Sequence, residues 1–126
     1  MSQFIYTKKA PEAVGPYSQA VVVGNLIFTS GQIAIDPANG MVTATTIEAQ
    51  TEQICKNLSA VLEAAGSTLD KTIKTTCFLA NMEDFAAFNE VYARYFVTKP
   101  ARSCVAVKQL PKNVLAEIEV IAEKGE

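Results

Sequence analysis

At 126 residues, 49% of them hydrophobic, 19% charged and 8% aromatic, the chain has the profile of a single globular domain, 1–126, that buries roughly two thirds of the surface its unfolded form exposes. A net charge of -2 with scattered lysines and arginines leaves no electrostatic footprint for nucleic acid. Histidine is absent, which excludes Ser/His and Cys/His nucleophile pairs and the usual zinc sites, and leaves acid and base chemistry to carboxylates, Tyr, Cys or Lys.

In chain order, a short strand is expected over Gln3 to Tyr6, followed by an irregular connection through Ala10-Pro11-Glu12-Ala13-Val14-Gly15-Pro16. Strands then run from Ser18 to Val23 and from Leu26 to Ile35 around a tight turn at Gly24-Asn25, and Asp36-Pro37-Ala38-Asn39-Gly40 stops the second. Ile47, Ile54, Leu58, Val61, Leu62 and Ala65 form one stripe of a helix from Thr45 to Ala65, ended by Gly66. Thr72 to Ala80 is a β-branched strand. Phe85, Phe88, Tyr92, Tyr95 and Phe96 recur at helical intervals, and their stripe is read as core. Strands from Arg102 to Gln109 and from Leu115 to Ala122 close the order β-β-β-α-β-α-β-β. Cys55, Cys77 and Cys104 are odd in number, and the N-terminus lacks an apolar leader-like run, which favours a reducing cytoplasm. No window approaches the ~18 uninterrupted apolar residues of a membrane helix.

Two helices cover one face of such a sheet. If the Val105/Val107 and Ile118/Val120 faces pack under them, alternation sends both Arg102 and Glu117 to the other side. That side carries enough apolar residues to need cover, so a homo-oligomer is expected, with a pocket at the seam between copies.

Several residues are candidates for chemistry. Arg102 opens an otherwise apolar strand and keeps its charge at every relevant pH, so its partner is either a ligand carboxylate or a structural Glu117 or Glu119. Glu117, between Ala116 and Ile118, is either a desolvated base or that structural partner. Cys104 lacks an activating histidine and reads more as a small strand hydrophobe than as a nucleophile, though the Arg102 charge would lower its pKa. Tyr17, just past Gly15-Pro16, either donates to a ligand or anchors a turn. Ser30-Gly31-Gln32 breaks an apolar strand, through a bulge, a close backbone approach or a bend.

GPYSQA (15–20), FTSGQI (28–33), KTTCFLANMEDFAAFNEVYARYF (74–96), PARSCVAV (100–107) and LPKNVLAEIEVIA (110–122) together closely resemble the RidA family, also called YjgF, over essentially the whole chain. The resemblance implies an α+β, chorismate-mutase-like fold, a homotrimer around a central β-barrel, and a cleft at each subunit interface. It implies a cofactor-free enamine/imine deaminase that hydrolyses 2-aminoacrylate/2-iminopropanoate or 2-iminobutanoate, released by PLP-dependent dehydratases, to a 2-keto acid and ammonia. By position, Arg102 would clamp the substrate carboxylate, Glu117 would orient or deprotonate the water, and the Cys104 backbone would hold both. Tyr17, Ser30, Gly31 and Asn89 would line the cleft, with Tyr17 reaching from the neighbouring subunit. Ala34, Ala116 and the short Val97-Thr98-Lys99 segment depart from the family pattern. A non-catalytic module binding a small acid such as 2-ketobutyrate is the alternative, and no metal, nucleic acid or membrane is expected.

Overall fold

Apolar residues at alternate positions in short runs, and at three- and four-residue spacing in two longer ones, assemble a sheet with two helices on it. The computed structural model describes residues 2–125. Its strands are β1 (Ser2–Ile5), β2 (Ala20–Val23), β3 (Leu26–Thr29), β4 (Thr72–Leu79), β5 (Ala101–Ala106) and β6 (Ala116–Glu123), and its helices are α1 (Ile47–Ala64) and α2 (Phe85–Tyr95). The strands form one mixed sheet in the order β1-β2-β3-β6-β4-β5. The crossover through α2 makes β4 and β5 parallel, while the other pairs are antiparallel. This is the expected α+β arrangement, element for element.

The Thr46 hydroxyl accepts from the Ala49 amide at 3.1 Å and starts α1, a cap of the kind that contributes about 1 kcal/mol. Past its other end Gly66 takes φ 86°, which a β-carbon would strain. The apolar stripe of α1 and the Phe88/Phe96 side of α2 close over Ile27, Cys77, Leu79, Ala116, Ile118, Val120 and Ala122, all buried.

Two strands end earlier than expected: β5 stops at Ala106, not Gln109, and β3 ends sooner still. β3 stops at Thr29, not Ile35, and pairing resumes only in an isolated bridge between Gln32 and Ile118. Three buried amides secure the irregular segments around this break. Gln19 takes the Thr7 amide at 2.7 Å and donates to the Pro11 carbonyl at 2.8 Å, Asn57 donates to the Ile33 and Ile35 carbonyls at 3.2 and 2.9 Å, and Gln50 accepts from the Leu115 amide at 2.8 Å. Each satisfies backbone groups that the sheet leaves unpaired.

Among the described residues, no helix covers the opposite face. Register places Phe4, Val21, Phe28, Ile121 and Lys74 in one row across five strands. Phe4 is 70% exposed, Phe28 41%, and Val105, farther along this face, 48%. No helix among the described residues is long and apolar enough to cross a membrane.

Candidate functional site

Register decides where each candidate side chain points. β5 pairs with β4 so that Arg102 lies beside Thr75, Cys104 beside Cys77 and Ala106 beside Leu79. On its other side β4 sets Thr75, Cys77 and Leu79 against Val120, Ile118 and Ala116, the buried, helix-covered set. Arg102 and Cys104 therefore face the helices, and Val105 is on the bare side. Glu117 pairs with Phe78 and shares that bare side. The expectation that Arg102 and Glu117 point the same way is thus corrected. They occupy opposite faces, with Glu117 level with Val105, three residues or about 10 Å along the strand direction from Arg102.

Arg102 sits at the sheet edge under α2. Its Nη1 donates to Asn89 Oδ1 at 2.7 Å, and its guanidinium carbon stands 4.8 Å from the Tyr92 ring centroid and 5.4 Å from that of Phe85. Asn89, Tyr92, Ala93, Lys99, Pro100 and Arg102 line a cleft of about 290 Å³, and none of the described residues lining it is a carboxylate. Neither Glu117 nor Glu119 is the arginine's structural partner. An amide and two ring faces hold the cation without neutralising it, leaving its remaining donors for an anion.

Glu117 lies in a second, larger cleft of about 730 Å³, whose lining includes Tyr17, Ser30, Gly31, Ile33, Lys112 and Val14. Burial, and then the neighbouring Glu119 charge, raise its pKa above the usual glutamate range. Arg102 is not among the charges acting on it. The break in β3 makes room for this carboxylate: a β-carbon on Gly31 would meet Glu117 Cδ at 2.9 Å. At Gly31 the close approach is that of a side chain, while on either side of it the Ser30 and Gln32 backbones bond those of Gln19 and Ile118. The Ser30 hydroxyl donates to the Ser18 carbonyl at 2.6 Å and its amide to the Gln19 carbonyl at 2.9 Å, which ties this segment to the start of β2. Tyr17 is exposed, beside the Gly15 backbone at the rim.

Cys104 is half-buried beside Cys77, and its pKa is raised, because burial outweighs the lowering effect of Arg102. Cys77, fully enclosed, is pushed up to about 12. Arg102 does lower the Cys104 pKa as expected, but burial outweighs it, and neither thiol is primed as a nucleophile.

One chain therefore divides the candidates. Tyr17, Ser30, Gly31 and Glu117 share one cleft, Asn89 and Arg102 the other, and Cys104 lies under Arg102 on the helix side. Phe85 and Tyr92, read from sequence as core, are the residues that reading missed. Their spacing with Asn89, at positions 85, 89 and 92, puts all three on one face of α2 and is the signal that identifies them.

Residues 7–124 match the family described as Endoribonuclease L-PSP. A RutC family protein of Pyrococcus horikoshii is 52% identical over 125 residues, 98% of this chain and 99% of that one. The crystal structure of the YjgF gene product of E. coli superposes with a TM-score of 0.93 at 44% identity, covering 98% of this chain and 99% of that one. That of E. coli TdcF with bound serine also gives 0.93, at 42% identity and the same coverage.

Proposed function

We propose that this chain, which belongs to the Endoribonuclease L-PSP family of RidA, YjgF and RutC proteins, is a cofactor-independent deaminase that hydrolyses 2-imino acids and their enamine tautomers to 2-keto acids and ammonia. The observation that carries this reading is the guanidinium of Arg102, which rests on an amide and two rings at the mouth of a cleft with no carboxylate beside it among the described residues. Such a group matches the carboxylate shared by every 2-imino acid. The TdcF relative was crystallised with serine, itself an α-amino carboxylate.

The chemistry asks little of the protein. A protonated imine is already a strong electrophile, so positioning and a water-activating base suffice. Glu117, its pKa raised but still that of a carboxylic acid, takes a proton from water as the oxygen bonds to C2 and the C=N π pair moves to nitrogen. Returning that proton to the nitrogen lets ammonia leave with the C–N bonding pair, while the hydroxyl oxygen gives its proton to the freed Glu117 carboxylate and becomes the keto oxygen; ammonia then takes up that proton and departs as ammonium. An enamine first takes a proton at C3 to enter as the imine. The Cys104 side chain has no part in these steps; the edge backbone of β5 at that position is available to the substrate.

Because Arg102 and Glu117 face opposite ways in one chain, the working site takes Arg102, Asn89 and Cys104 from one copy and Glu117, Tyr17, Ser30 and Gly31 from a neighbour. The bare apolar face supplies the surface for that association, and a trimer closed around it is the assembly we propose. An endoribonuclease reading lacks physical support in a chain of net charge -2 with scattered cations. The test is to generate 2-iminobutanoate with a threonine dehydratase and follow its decay by absorbance with and without the purified protein. Accelerated decay with stoichiometric ammonia is the expected result; decay no faster than in buffer would leave a binding module in its place.

A further inference from the structure

We infer that Tyr92 is a positioning residue for Arg102: its hydroxyl, locked to Thr75, fixes the aromatic face on which the guanidinium rests. This role rests on the reading of Arg102 as a carboxylate clamp. The hydroxyls of Tyr92 and Thr75 share a buried hydrogen bond at 2.7 Å. Thr75 is fully buried and is the register partner of Arg102 in the parallel β4–β5 pair, so the strand that places the arginine backbone also holds the tip of the ring.

The ring is held from several directions. Phe96 stacks on it with centroids 4.5 Å apart and planes 27° apart, and Phe88 meets it at 5.7 Å. The guanidinium carbon lies 4.8 Å from its centroid, while Asn89, one turn earlier on α2, grips Nη1. Burial in the aromatic stripe would hold a phenylalanine equally well. The hydroxyl adds a link from ring tilt to the strand next to β5. An arginine side chain has many rotamers, and one held before its ligand arrives loses less freedom on binding.

Two isosteric cuts remove the same bond, Tyr92→Phe and Thr75→Val, and Thr75→Ser retains the hydroxyl. Each is made in the full chain and measured for 2-ketobutyrate binding by calorimetry, imine-decay kinetics and melting temperature. Both cuts are expected to weaken 2-ketobutyrate binding and raise KM about threefold to tenfold, the range one hydrogen bond supplies, with kcat retained. Thr75→Ser is expected to bind as the wild type does, and the double variant to be no weaker than the weaker single. In an Arg102→Ala background neither cut should change kcat/KM further, an outcome a general loss of packing would not produce.

Wild-type affinity in both cuts, even with a lower melting temperature, would make Tyr92 a core residue only and overturn the inference. So would losses that persist without Arg102. A wild-type protein that binds no 2-keto acid removes the clamp reading itself, and the positioning role with it, which separates that failure from the others.

Discussion

The carboxylate of Glu117 lies against the α-carbon of Gly31, in the space a side chain there would fill. Gly31→Ala must therefore move one or the other. Overpacking a rigid neighbour costs about 1–3 kcal/mol, but a half-buried glutamate can swing aside. The expected result is a small loss of melting temperature with a large loss of turnover, on the order of 100-fold, because the base leaves its position. Kinetics and calorimetric melting of Gly31→Ala, with Gly31→Ala/Glu117→Ala as the relieved control, measure both.

Glu117 also sets a pH dependence whose sign follows from its raised pKa. Folding makes the proton bind more tightly, so its contribution to stability is fully present below the unfolded value, about 4.3, and is lost as pH rises through the folded value. Glu117→Gln should therefore melt higher than the wild type at neutral pH, with the difference closing by about pH 4. Activity should run the other way, since the proposed base is the ionised form: kcat/KM should fall as pH drops through a pKa above the ordinary glutamate range. Thermal melts and rate profiles over the same buffers check the two signs together.

The order of the eight elements was legible because periodicity and the Pro/Gly breaks are local signals. The direction of Arg102 was not. Along β5, Cys104 and Val105 are both apolar, and an edge strand has no solvent face that alternation can reveal; only its pairing, Cys77 beside Cys104, decides which side faces the helices. Pairing joins residues far apart in sequence, so no window around Arg102 contains it. The early end of β3 has a similar cause, since the Glu117 carboxylate that fills the break comes from β6. Arg102, Glu117, Cys104, Tyr17 and the Ser30-Gly31-Gln32 break stood out by residue type and position, Asn89 came from motif resemblance, and their division between two clefts came from topology.

Thiol chemistry separates the three cysteines. Cys55 and Cys77 are fully buried with raised pKa values, and Cys104 is half-buried with a smaller obstacle to solvent. Iodoacetamide at pH 8 should label Cys104 slowly and the other two only after unfolding, as read by peptide mass spectrometry. Cys104→Ala should keep kcat/KM within about twofold, since a small strand hydrophobe is replaced by another.

The uncovered sheet face predicts its own variant. Phe28 sits between Val21 and Ile121 in a row of side chains spanning five strands. A charge there is compatible with the solvent-exposed face of an isolated chain and costly in an apolar interface, by several kcal/mol for an unpaired ion. Phe28→Asp should shift the protein from an oligomer to smaller species in size exclusion with light scattering, with activity falling in step. An unchanged oligomer would place the interface elsewhere.

Mixed assemblies of Arg102→Ala and Glu117→Gln subunits test most directly whether the site hydrolyses imines with groups from two copies. Each variant alone should keep only a small residual activity toward 2-iminobutanoate. After the two are unfolded together and refolded at equal amounts, the proposed trimer would carry one intact site in each mixed assembly, and about a quarter of wild-type activity should return. Inactive mixtures whose native mass spectrum shows the subunits combined, or substantial activity in either parent, would contradict a site shared in this way.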